Sequence, residues 1–129
     1  MTTPSELRQD EIGRLISADK VEGTAVYNPA GEKVGSVSNI MIDKLSGRVA
    51  YAVLTAGGVL GIGKEAIALP WNVLTYDTGK GGYVVDVDRA KLEEAPQMAS
   101  GDLSQLEDRE FEKHIHDYYN IDPYWTFAA

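Results

Sequence analysis

Three short patterns in this chain carry residue types that could do chemistry. Gly58 to Lys64 reads G-x-x-x-x-G-K, the core of a phosphate-cradling loop. Such a loop needs Ser or Thr next, to hold a magnesium ion, and then a long helix whose N-terminus faces the phosphate. Here Glu65 follows and Pro70 ends the run, so the glycines are read as permitting a tight bend between strands. Ser17-Ala18-Asp19-Lys20 has the S-x-x-K spacing of an activated serine nucleophile, but that chemistry requires further motifs on a much larger scaffold. His114 and His116 lie about 200° apart around a helix, whereas two imidazoles that share an ion need a spacing of three or four. Glu110 and His114, at i and i+4, are better placed and read as a surface contact. No nucleophile and base, and no carboxylate pair, stand at diagnostic spacing. The expectation is a chain with no catalytic residue, no cofactor and no metal, and not an enzyme.

The elements around these patterns are mostly strands. Thr24 to Tyr27 is short and β-prone, and Asn28-Pro29-Ala30-Gly31 closes it as a hairpin turn. In Lys33 to Asp43 the alternation changes phase near Ser38-Asn39, which predicts a β-bulge. Lys44 to Gly47 breaks the pattern. Arg48 to Thr55 resumes it with apolar residues on both faces, the mark of a central strand. Glu65 to Leu69 follows the glycine-rich connection and stops at Pro70, after which Trp71, Val73 and Leu74 cap an open end of the sheet. Thr75 to Gly82 reads as a loop and Tyr83 to Val87 as a last strand. The predicted core is Val26, Val37, Ile40, Ile42, Val49, Tyr51, Val53, Leu54, Ile67, Leu69, Val85 and Val87.

The succession Glu22 to Tyr27, Gly31-Glu32-Lys33-Val34-Gly35, Ile40-Met41-Ile42-Asp43, Gly47 to Val53 and Ala68-Leu69-Pro70-Trp71 resembles the PRC-barrel domain. That family takes its name from the cytoplasmic domain of the photosynthetic reaction centre H subunit and includes the C-terminal domain of a ribosome maturation factor. The resemblance implies a small, strongly bent antiparallel β-barrel. It covers roughly residues 15 to 90 and rests on several motifs of moderate specificity. Neither the membrane anchor of the first protein nor the N-terminal domain of the second is read in this chain, so their functions do not carry over whole.

One domain with extensions fits 129 residues: a lead over 1–14, a PRC-type barrel over 15–95 in which Leu15 and Ile16 begin the packed part, and an extension over 96–129. The chain has no Cys, which removes disulfides and thiolate chemistry. No signal-peptide core and no membrane span is read, so the default placement is cytoplasmic. Formal charge is −8, and residues 90–129 hold nine acidic against three basic side chains. An acidic chain without a basic run repels a phosphate backbone, which disfavours nucleic acid as a partner.

The barrel region closes with Asp88 as an N-cap of a short helix stopped by Pro96, and a linker over Gln97 to Gly101 opens the extension. From Asp102, the residues Leu103, Leu106, Phe111, Ile115 and Tyr118 recur as one face of an amphipathic helix ending near Asn120. The aromatic cluster that follows is too apolar to stay solvated, so Tyr118, Tyr119, Tyr124, Trp125 and Phe127 are the candidate protein-interaction residues. They dock either on this chain's own barrel or on a second protein. The leading functional reading, which the resemblance supports, is a noncatalytic protein-interaction or assembly module, forming a homodimer or binding a protein partner of unknown identity. The alternatives are a small-ligand binder at the barrel mouth near Trp71, Tyr51 or Tyr76, and an RNA-processing or ribosome-assembly accessory factor.

Overall fold

Strand β3 (Val49–Thr55) is the centre of the molecule, because every residue from Ala50 to Leu54 is buried and both of its faces must be covered. The computed structural model describes residues 15–55, 65–99 and 102–126, and the G-x-x-x-x-G-K segment falls outside them. The strands are β1 (Ala25–Tyr27), β2 (Lys33–Ile42), β3, β4 (Glu65–Pro70), β5 (Leu74–Asp77), β6 (Gly82–Val85) and β7 (Met98–Ala99). They pair in the order β5-β6-β1-β2-β3-β4-β7 as one seven-stranded sheet. Among the described residues no ladder joins β5 to β7, so the closed barrel implied by the resemblance is not completed by strand pairing.

Turn chemistry sets the hairpins. Asn28 is buried, and its side chain bridges the β1–β2 turn by accepting from the Glu32 amide at 2.9 Å and donating to the Glu32 carboxylate at 2.7 Å. The β2–β3 turn closes on Asp43, whose carboxylate accepts from the Ser46 hydroxyl at 2.6 Å, while Gly47 takes the positive φ of 78° that the turn requires. The predicted bulge is present as a register shift between Val37 and Asn39. A second shift between Met41 and Ile42 was not foreseen. It falls where β2 runs out into the turn. Of the expected core, Ile42 is therefore 53% exposed, and Ile40 and Val49 are only half-buried. Val87 is also half-buried, since β6 ends at Val85. The other eight predicted core residues are buried. Leu15 and Ile16, expected to pack on the barrel, are exposed.

Five of the six strand pairings are antiparallel, and the sixth corrects the all-antiparallel expectation. In it β6 runs parallel to β1, with Val26 opposite Tyr83 and Tyr27 opposite Val84. Gly82 permits that approach, because a Cβ there would meet the Ala25 carbonyl oxygen at 2.6 Å. Strand β5 occupies part of the segment read as a loop. Its residues are half-buried or exposed, so they carry little apolar alternation, and the Asp77 side chain and Gly81 (φ 66°) turn it back onto β6. Strand β7 is two residues within the expected linker and adds to β4.

Among the described residues three helices complete the fold: α1 (Ala18–Val21), α2 (Arg89–Glu93) and α3 (Arg109–Tyr119). Ser17 precedes α1 without a side-chain cap, whereas Asp88 caps α2 as expected by accepting from the Lys91 amide at 2.9 Å. Asp108 does the same for α3 through the Glu110 amide. At its far end Asn120 adopts φ 55° and ψ 49°, and the Ile121 amide reaches back to the His116 carbonyl. That cap turns the chain over β3.

Val53→Ala, within the two-sided strand, is expected to cost roughly 1–3 kcal/mol and to lower the melting temperature by several degrees. Ile42→Ala, at the exposed strand end, should stay within about 0.5 kcal/mol of the parent. Equal losses in the two variants would contradict the division between core and surface.

Candidate functional site

Helix α3 brings Glu112 and His116, four residues apart, onto the face that covers β3, and both are buried, at 4% and 3% exposure. The turn at Asn120 then returns Tyr124 and Trp125, in a 3-10 turn (Tyr124–Thr126), to the same place. Tyr51 meets them from β3. Its hydroxyl lies 2.9 Å from His116 Nε2, the tautomer setting which atom donates, and its ring packs edge-on against Tyr124.

A buried carboxylate is tolerated only when its lone pairs are used. The Tyr124 hydroxyl donates to Glu112, 2.8 Å from Oε2 and 3.1 Å from Oε1, and Arg109 Nε donates to Oε1 from 3.2 Å. The Arg109 guanidinium in turn lies over the Trp125 ring, 3.8 Å from its centroid. Trp125 stands edge-on to the His116 imidazole, with centroids 5.5 Å apart. Sheet, helix and C-terminal segment are thus joined through one polar and aromatic cluster.

The titrations follow from this packing. Burial, with the Glu112 hydrogen bond and charge behind it, pushes the Tyr124 phenol up to about 12. Burial first and the Glu112 charge second also raise the Tyr51 phenol. Burial pushes the His116 imidazole below its usual 6.5, with the Ile121 backbone and the Asp117 charge acting the other way. Near neutral pH the cluster therefore holds protonated phenols and a neutral imidazole. Its polar groups are committed to one another, except His116 Nδ1, which is buried without a hydrogen-bond partner, and the cluster acts as a strut between elements.

Two clefts flank the strut, and Ala50 and Tyr124 line both. The larger, about 300 Å³, lies among Trp71, Pro70, Asn72, Arg48 and Ile121. The smaller, about 120 Å³, lies against Met41, Ile42, Leu106 and Glu112. Among the described residues there is no group of three or more His, Cys, Asp or Glu side chains able to hold a metal.

The aromatic residues singled out from the sequence are placed on this chain itself. The Tyr118 hydroxyl donates to the Lys91 carbonyl, and the Lys91 ammonium sits over the Tyr118 ring. Tyr119 is buried edge-on to Tyr118, with its hydroxyl unpartnered and its phenol raised by burial. Tyr124 and Trp125 are half-buried in the strut, and Phe127 lies outside the described residues. Sequence reasoning missed Glu112, His116, Arg109 and the pairing of Tyr51. The helix begins only at Arg109, with Leu106 in a preceding 3-10 turn (Ser104–Glu107), and its phase explains the rest: the buried face is Glu112, Ile115, His116 and Tyr119, while the expected Phe111 and Tyr118 flank it half-buried. The i, i+4 signal that could have found the pair was assigned to Glu110 and His114, which are both exposed.

The profile of the PRC-barrel domain matches residues 14–92. The chain belongs to the PRC-barrel domain family. The matched region supplies Tyr51, Trp71 and Arg48, whereas Glu112, His116 and Tyr124 lie beyond it, so the strut and both clefts form where this PRC-barrel domain meets its C-terminal extension. No curated protein matches the chain. Among the described residues no helix is long and apolar enough to cross a membrane.

Tyr124→Phe should cost roughly 1–3 kcal/mol, because the buried Glu112 carboxylate loses a donor. The pH profile has two limbs. His116, depressed in the fold, contributes stability above about pH 6.5 that is lost as the pH falls through its folded value. Tyr124, raised in the fold, contributes stability below about pH 10 that is lost as the pH climbs through about 12. Melting temperatures across this range should show both limbs, with the acid one flattened in His116→Leu; an acid limb unchanged in that variant would remove His116 as its source.

Proposed function

We propose that this PRC-barrel domain is a noncatalytic protein-interaction or assembly module that uses the face around its β2–β3 turn. One observation carries the reading: Leu45 at the tip of that turn is 96% exposed, beside the half-exposed Ile42 and the smaller cleft. An apolar group on a rigid turn at the rim of a cleft is the feature expected of an anchor residue. Family membership supports the same class of function, whereas the residues most capable of chemistry are engaged in the strut. The charge of −8 weighs against a nucleic-acid backbone as the partner.

A small-ligand binder is the second reading, favoured by the larger cleft. Its volume of about 300 Å³ is at the lower end for ligand pockets, and Trp71 and Tyr124 offer aromatic walls with Arg48 and Asn72 as polar contacts. A metabolite thermal-shift screen in which hits vanish on Trp71→Ala would favour it.

The interaction reading is tested by using the full chain as bait against host lysate, beside an Ile42→Asp/Leu45→Asp variant of unchanged melting temperature. A specific partner recovered by the parent and depleted at least about tenfold by the variant supports the reading. Identical recoveries, or no specific partner from either bait, would count against this face.

A further inference from the structure

The larger cleft sets two opposite charges beside aromatic walls, and we infer that it binds a free amino acid with an apolar side chain. The inference rests on the small-ligand reading above and names the class of ligand. Arg48, just before β3, and Asp122, just beyond the Asn120 turn, both line this cleft. Both are exposed, and among the described residues neither side chain forms an ion pair or a hydrogen bond, with the other or with any third group. A molecule that carries a carboxylate and an ammonium on one carbon meets both charges at once. A simple anion is repelled by Asp122 and a simple cation by Arg48, so the pair selects against ligands with one charge. The zwitterion is also neutral overall, and a chain carrying −8 does not repel it as it repels a free anion. Asn72 adds an amide able to donate to the carboxylate.

The rest of the lining is mostly apolar, with Trp71, Tyr124 and Ile121 available to a hydrophobic side chain. The cleft of about 300 Å³ has room for about ten waters at about 30 Å³ each, and so for a ligand of about ten heavy atoms such as leucine or phenylalanine. Its walls are held by contacts within the chain. Trp71 stands edge-on to Tyr83 with centroids 5.5 Å apart, the Tyr124 hydroxyl is held by Glu112, and the Ile121 amide is bonded to the His116 carbonyl. Little freedom is therefore lost when the cleft fills. His116 also lines the cleft, and its Nδ1 is buried without a hydrogen-bond partner. That nitrogen gives a polar ligand one further atom to engage, directly or through a water.

Calorimetric titration of the full chain with probes up to about 10 mM tests the inference. L-phenylalanine and L-leucine carry both charges and an apolar body. Hydrocinnamate and isocaproate lack the ammonium, phenethylamine and isoamylamine lack the carboxylate, and glycine lacks the apolar body. At least one of the two amino acids should saturate the protein, and its single-charge analogues and glycine should bind about tenfold or more weakly. Arg48→Gln should weaken that amino acid about tenfold or more without weakening its amine analogue, and Asp122→Asn should do so without weakening its acid analogue. Both positions are exposed, so neither variant should change the melting temperature. The inference is overturned if neither amino acid saturates, if a single-charge analogue binds as tightly as its parent, or if either variant leaves binding unchanged or weakens every probe alike. Metabolite hits that lack one of the charges and vanish on Trp71→Ala would overturn the amino acid as ligand and leave the small-ligand reading standing. A metabolite screen without hits removes both.

Discussion

A strand buried on both faces cannot be satisfied by a single sheet, and β3 imposes that condition on the whole molecule. Its neighbours β2 and β4 take its hydrogen bonds, but apolar side chains above and below it still need cover. At the Tyr51 end the cover comes from outside the family domain, from α3 and the returning C-terminal segment. Burying β3 therefore requires that residues beyond 92 fold back, which makes the extension part of the domain's own core.

The cover is polar where it meets β3, and that has a consequence for specificity. Leucines in place of Glu112 and His116 would bury comparable area without the need for Arg109, Tyr124 and Tyr51 to complete a network. A buried carboxylate accepts only those arrangements in which its partners arrive together, so the cluster ties the phase of α3, the turn at Asn120 and the position of Tyr124 to one another. The strut bounds two clefts because aromatic rings held by polar tips do not fill the space that aliphatic side chains would. Ala50, the small residue on β3 common to both clefts, leaves that space open.

Near the β2–β3 turn the balance differs. Asp43 and Ser46 order the turn, and the register shift at Met41/Ile42 turns an apolar residue outward at the end of β2. This region combines order with exposed apolar surface, whereas Tyr118, Tyr119, Tyr124 and Trp125 pack on their own chain.

The central strand, the first bulge, the Asp88 helix cap and eight of the core residues were legible in the sequence, because each follows from contacts within a few residues: alternation, turn residues and an N-cap aspartate. The family was legible for the same reason, through a series of local motifs within the matched region. What lay beyond reach depended on partners distant along the chain. The parallel pairing of β6 with β1 sets Val26 beside Tyr83 and is permitted by the bare backbone of Gly82. The burial of His116 depends on Tyr51, sixty-five positions away, and that of Glu112 on Tyr124. An amphipathic pattern fixes that α3 has a buried face, but a rotation of one residue along the helix separates Phe111 and Tyr118 from Glu112 and Tyr119. Only the tertiary structure could choose between them, because the desolvation of a carboxylate is repaid by groups that the helix itself does not carry.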